Sequence, residues 1–189
     1  MSNSKDKELL SIILADDFLK GMFSPYIEIS REITNKKILD FGCGYGWGTS
    51  YLSQHNQYVV GYDIREDRVC WAEDVYSFER NVHFTHIWSD VKQQVFDVIV
   101  LSHVLHELEN PFIGTNEIVK ILKNEGRIYI AEKMQYKKKI EYFTQDVRCV
   151  ATVFKEEEKT FPIAKGRKLV LKSLAINKPN FSEQSFSKD

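Results

Sequence analysis

Ile38-Leu39-Asp40-Phe41-Gly42-Cys43-Gly44-Tyr45-Gly46-Trp47-Gly48 is an apolar run, then an acid, then glycines at every second position. Asp63 stands 23 positions after Asp40 and closes a second apolar run, Tyr58-Val59-Val60-Gly61-Tyr62. A strand that ends in a glycine turn lets a ligand lie against bare backbone, because no Cβ blocks its approach. An acid at the tip of the next strand can accept hydrogen bonds from both hydroxyls of a ribose. The pair predicts a pocket for a nucleoside-containing cofactor.

The glycine spacing narrows the choice of cofactor. A dinucleotide binder needs glycine at 42, 44 and 47, and position 47 is Trp, too bulky for the close packing that the third glycine allows. A phosphate-binding P-loop needs a lysine before Thr49, and Gly48 stands there. What remains is D-x-G-x-G-x-G. With this loop the chain resembles the class I S-adenosylmethionine-dependent methyltransferases. Val82 to Asp90 resembles the third strand of that family and its exit, and Phe96 to Leu101 the fourth. Ser102-His103-Val104-Leu105-His106-Glu107-Leu108 follows as in the family's small-molecule branch, and Ile118 to Glu132 resembles a helix, a glycine stop at Gly126 and the fifth strand. The match runs from about residue 36 to 133.

The resemblance implies S-adenosylmethionine as cofactor and S-adenosylhomocysteine as product. It implies that Gly42, Cys43, Gly44 and Gly46 face the amino-acid part of the cofactor. Asp40 would sit beneath the loop and help hold its ammonium group, and Asp63, with Ile64 beside it, would take the ribose. Ser89 and Asp90 would lie toward the adenine amino group, Ser102 beside the cofactor, and Tyr26 would reach its carboxylate from the N-terminal region. The implied fold is α/β, a Rossmann-like three-layer sandwich. Its seven-stranded, mostly parallel sheet would end in an antiparallel C-terminal strand pair.

Methyl transfer from a sulfonium is an in-line displacement on an activated carbon, so the protein must mainly hold the nucleophile in line. An oxygen or nitrogen nucleophile also needs a base. His103 and His106 are the catalytic candidates, because they follow the fourth strand at the carboxyl edge of the sheet and an imidazole suits that task. Each has an ordinary alternative, His103 packing against the cofactor and His106 capping a turn. Glu107 reads as a solvent or helix-start residue. No third clustered ligand joins the two histidines, so no metal is expected.

The chain has 189 residues, 43% hydrophobic and 28% charged, with a net charge of −1. That suits one globular domain with a sizeable core. It gives no electrostatic reason to expect a nucleic-acid partner. The Asp/Asn-Pro-Pro-Tyr/Phe turn of adenine amino-methyltransferases is also missing after the fourth strand, which disfavours nucleic-acid N-methylation. Cys43, Cys70 and Cys149 form no C-x-x-C pair and read as reduced thiols of a cytoplasmic protein. No apolar run approaches a membrane-spanning length.

Residues 1–35 read as a helical cover or lid, with Leu9, Leu10, Ile13, Leu14 and Phe18 at helical spacing, Ser4 as cap, a break at Pro25 and a second short helix from Tyr26 to Glu32. Residues 36–178 read as the methyltransferase domain. Val147 to Phe154 and Lys168 to Ile176 have strand composition and flank a turn at Pro162 to Gly166, which predicts a hairpin. Residues 179–189 read as a disordered polar tail. The expected function is methyl transfer to a small-molecule or carrier-bound acceptor. The short connection after the fifth strand leaves three alternatives: a protein or peptide side chain as acceptor, a homo-oligomer or partner subunit completing the site, and a non-catalytic binding or regulatory subunit.

Overall fold

The computed structural model describes residues 17–108, 112–162 and 167–178. The expectations for the segment up to residue 16, for most of the turn after Pro162 and for the tail lie outside the described residues. Along the chain run α1 (Asp17–Glu32), β1 (Lys37–Phe41), α2 (Trp47–Ser53), β2 (Tyr58–Tyr62), α3 (Glu66–Tyr76), β3 (Val82–Thr85), the single turn α4 (Trp88–Val91), β4 (Phe96–Ser102) and α5 (Phe112–Ile121). Then come β5 (Leu122–Lys133), a 3-10 turn (Met134–Tyr136), α6 (Lys137–Val150), β6 (Thr152–Pro162) and β7 (Lys168–Asn177).

The strands form one seven-stranded sheet in the order β3-β2-β1-β4-β5-β7-β6. The pairs among β1 to β5 are parallel, and β7 runs antiparallel between β5 and β6. This is the mostly parallel sheet with an antiparallel C-terminal pair that the sequence predicts. Successive strand residues point to opposite faces, so both faces must be apolar when both are covered. Leu39, Val60, Ile99 and Ile130 pack with Ile118 of α5 and Phe143 of α6 on one face. Ile38, Val59, Val100 and Ala131 pack with Ile29 of α1 and Leu52 of α2 on the other. The strand order reverses between β1 and β4, where open α/β sheets bind ligands beyond the carboxyl ends of their strands.

Two local expectations are corrected. Pro25 lies inside one continuous helix, α1, instead of separating two. Phe23, Tyr26, Ile29 and Ile33 form a buried stripe that carries the helix past the proline, because tertiary packing outweighs one lost hydrogen bond. Pro25 has no N–H, so the Gly21 carbonyl four residues earlier lacks its usual helical donor. At the other end of the chain, Val147 to Val150 close α6 instead of opening a strand. Ile140, Phe143, Thr144 and Val147 recur at helical spacing and are buried, so the helical face runs on through Val147. The strand starts at Thr152 and carries Lys155-Glu156-Glu157-Glu158-Lys159, a charged run exposed along the sheet edge.

Candidate active site

The loop after β1 takes a left-handed backbone that its glycines adopt without strain. Gly42, Gly44 and Gly46 have φ of 79°, 56° and 78°. The Gly42 and Cys43 N–H groups donate to the Tyr62 carbonyl at 2.7 and 3.0 Å, which ties the loop to the end of β2. The Gly44 N–H donates to Asp63 Oδ2 at 2.9 Å, and the Arg65 N–H donates to Asp63 Oδ1 at 2.9 Å. Apart from its own chain neighbours, no atom of the described residues lies within 4 Å of where a Gly44 Cβ would stand, so this backbone faces open space.

That space is a cavity of about 570 Å³. Tyr26, Gly42, Cys43, Gly44, Asp63 and Ile64 line it on the side of β1, β2 and α1, and Ser102 and His103 on the side of β4. Gly46 caps α2 beside the cavity and is not part of its wall. Asp40 lies beneath it, with no solvent exposure, and accepts hydrogen bonds from Tyr26 Oη at 3.1 Å and Thr49 Oγ1 at 2.7 Å. Ser89 and Asp90 are exposed on α4 and do not reach the cavity wall. Their neighbour Trp88 turns inward and packs edge-on against Phe41 at 5.7 Å. His106 also stands outside the wall.

Burial sets the electrostatics. Desolvation raises the Asp40 pKa from its ordinary 3.8 to about 6, against the opposing hydrogen bonds from Thr49 and Tyr26. Burial, then the Asp40 charge, pushes the Tyr26 phenol well up. Burial, then the charges of Asp40 and Asp63, does the same for the Cys43 thiol, which is therefore a neutral packing group.

His103 has φ of 56°, uncommon for a residue with a side chain. Its N–H donates to the Ala131 carbonyl at 2.8 Å, which ties the post-β4 turn to β5. Among the described residues neither ring nitrogen meets a partner in good hydrogen-bond geometry, nor does the buried Ser102 Oγ, although the Gly21 backbone and the Tyr26 hydroxyl lie near them. Burial pulls the His103 pKa down to about 4; the Gly21 backbone opposes this, and the charges of Lys133 and His106 add to it. The ring is neutral at physiological pH. Orphaned buried polar atoms beside open glycine backbone are the surroundings that a polar ligand would complete.

Several residues of the site carry little sequence signal. Arg68 lines the cavity, with Nη1 3.7 Å from Asp63 Oδ2, and its guanidinium lies over the Tyr45 ring at 5.8 Å. Glu132 is fully buried at the end of β5, with both carboxylate oxygens 3.1 Å from His106 Nδ1. An acid that closes an apolar strand was the signal read at Asp63, and the same signal stood at Glu132. Leu19, Met22 and Phe23 of α1 add an apolar wall. Among the described residues no group of three or more His, Cys, Asp or Glu side chains is arranged to hold a metal, and no helix is long and apolar enough to cross a membrane.

A family model described as "Methyltransferase domain" matches residues 39–130. An uncharacterized methyltransferase of Schizosaccharomyces pombe is 29% identical over 111 residues, which span 50% of this chain and 38% of that protein. A ubiquinone biosynthesis O-methyltransferase of Coxiella burnetii is 23% identical over 111 residues, 56% of this chain and 47% of that protein. The chain thus spans less than half the length of both curated relatives. The N-methyltransferase NodS of Bradyrhizobium japonicum WM9 has the same fold, with a TM-score of 0.68 at 16% identity over 88% of this chain and 99% of its own. Its complex with S-adenosyl-L-homocysteine gives 0.61 at 17% identity, over 93% and 89%.

Proposed function

We propose that the chain, whose residues 39–130 match a methyltransferase-domain model, is a class I S-adenosylmethionine-dependent methyltransferase that methylates a small-molecule or carrier-bound acceptor, with S-adenosylhomocysteine as the other product. The observation that carries the reading is the bond between Gly44 N–H and Asp63, in the wall of a cavity that Ser102 and His103 also line, whose buried Oγ and ring nitrogens meet no partner in good geometry among the described residues. S-adenosylmethionine, when bound, supplies a methyl group activated by its sulfonium.

The residues divide the task of holding it. Asp63 accepts hydrogen bonds from the ribose hydroxyls, and Ile64 flanks the base. Open backbone at Gly42 to Gly44 admits the amino-acid part, and ionised Asp40 beneath it answers the ammonium group. Tyr26 and Ser102 offer hydroxyls to the polar remainder. Ser89 and Asp90 serve the adenine edge only if α4 closes toward it. Leu19, Met22, Phe23, Val104 and Leu108 make the acceptor side apolar, with His103 and Glu107 as its polar groups. That wall suits an acceptor with an apolar body and one protic oxygen or nitrogen. The three cysteines form no disulfide, in keeping with a reducing, cytoplasmic setting.

The test is calorimetric titration with S-adenosylmethionine and S-adenosylhomocysteine, with NADH as control. Micromolar binding of the first two alone is the expected result and opens an acceptor screen with methyl-labelled S-adenosylmethionine. Binding of NADH in their place overturns the reading.

A further inference from the structure

His106 is held from four directions, more than a turn residue needs. Nδ1 lies 3.1 Å from both oxygens of Glu132, and the His106 backbone N–H donates to Glu132 Oε1 at 3.3 Å. The ring stacks on Tyr136 with centroids 4.7 Å apart and planes 8° from parallel. Lys139 Nζ donates to the carbonyls of Leu105, His106 and Leu108 at 3.1, 3.2 and 3.1 Å, which pins the turn itself. Glu132 is wholly buried, while the His106 side chain keeps 22% of its exposure. Nε2 meets no protein group among the described residues.

An ionised carboxylate only accepts hydrogen bonds, so Nδ1 must carry the proton. The neutral ring then has its lone pair on Nε2, the nitrogen left free. This is how a buried acid selects the tautomer of a base and steadies the imidazolium that forms. His106 stands outside the cavity wall itself, in the turn after β4 between the wall residues Val104 and Glu107, and Glu132 lies near the end of β5. We propose that Glu132 is a positioning residue that fixes His106 as the proton acceptor for the methyl acceptor, in a subsite over the carboxyl ends of β4 and β5. In that step the acceptor's X–H bond breaks, its electron pair stays on X, the proton joins Nε2, and the imidazolium later releases it to water. His103 is unsuited to this work, because its burial disfavours the charged ring. The proposal rests on the methyl-transfer reading above.

The test is the tautomer of His106 in the 15N-labelled full chain, read from two-bond 1H–15N correlations without any cofactor. The expected neutral ring carries its proton on Nδ1. Glu132→Gln keeps an acceptor oxygen and keeps that tautomer, whereas Glu132→Leu shifts most of the population to Nε2–H. A wild-type proton on Nε2 overturns the proposal, as does an unchanged tautomer in folded Glu132→Leu; if that variant does not fold, the wild-type spectrum decides. With the acceptor from the screen, Glu132→Leu lowers kcat on the order of ten- to a hundredfold and leaves the KM for S-adenosylmethionine unchanged. An unchanged kcat with a raised KM also overturns it. Failure of the methyl-transfer reading appears separately, as absent binding in the calorimeter with the tautomer intact.

Discussion

The Tyr26 ring lies so close to Gly48 that a Cβ on the glycine would stand 2.1 Å from the ring's Cζ. This contact brings α1 down onto α2 and lets the Tyr26 hydroxyl reach Asp40. Gly48→Ala should expel the ring and cost about 1–3 kcal/mol through overpacking. Thermal denaturation should show a fall of roughly 2–4 °C for each kcal/mol lost. S-adenosylhomocysteine affinity should fall with it; a variant with unchanged stability and affinity means that α1 is not anchored through this contact.

Asp63→Ala removes the carboxylate that accepts from Gly44 and Arg65. Its loss should weaken S-adenosylhomocysteine binding by about 1–3 kcal/mol, from missing charge-assisted hydrogen bonds. Calorimetry on the folded variant measures this directly, and full retention of affinity refutes the ribose assignment.

Asp40 gives the site a pH dependence. Its folded pKa of about 6 lies above the ordinary 3.8, so the folded state holds this proton more tightly than the unfolded chain does. The resulting stability is complete below the ordinary value and is lost as pH rises through about 6. Relative to Asp40→Asn, the wild type should therefore gain about 1 kcal/mol of unfolding free energy between pH 7.5 and pH 5. Cofactor affinity should run the other way, rising with pH through the same window as the carboxylate ionises to meet the ammonium. Urea unfolding and calorimetry at matched pH separate the two trends, and a flat affinity profile removes Asp40 from the ammonium site.

His103 is held at a positive φ that suits glycine better than any residue with a Cβ. His103→Gly should therefore be more stable than His103→Ala by about 1 kcal/mol, although both remove the imidazole. Equal unfolding midpoints for the two variants would indicate a relaxed backbone at this position.

The legible parts were those with a local signature. Ile38, Asp40, Gly42 and Gly44 lie within seven residues, and the apolar runs of β1, β2 and β4 are buried on both faces, so their composition alone marks them. β6 was harder to see, because an edge strand exposed on both faces shows no apolar alternation along its charged run. Val147 to Val150 suits helix or strand by composition, and the burial of Ile140 and Phe143 decides for helix. Glu132 was missed because its partner His106 lies 26 residues away, and only the parallel pairing of β4 with β5 brings them together. Ser89 and Asp90 illustrate the converse. Their position after β3 was read correctly, but the single turn of α4 directs them to solvent while Trp88 takes the inward place.

Pro25 has an effect outside its own helix. The hydrogen that it lacks leaves the Gly21 carbonyl without its helical donor, and the Gly21 backbone opposes the lowering that burial imposes on the His103 imidazole. The helix that covers the cavity and the turn that carries His103 thus meet at a backbone carbonyl and a buried ring, so a substitution of Pro25 would be read on a different element from its own.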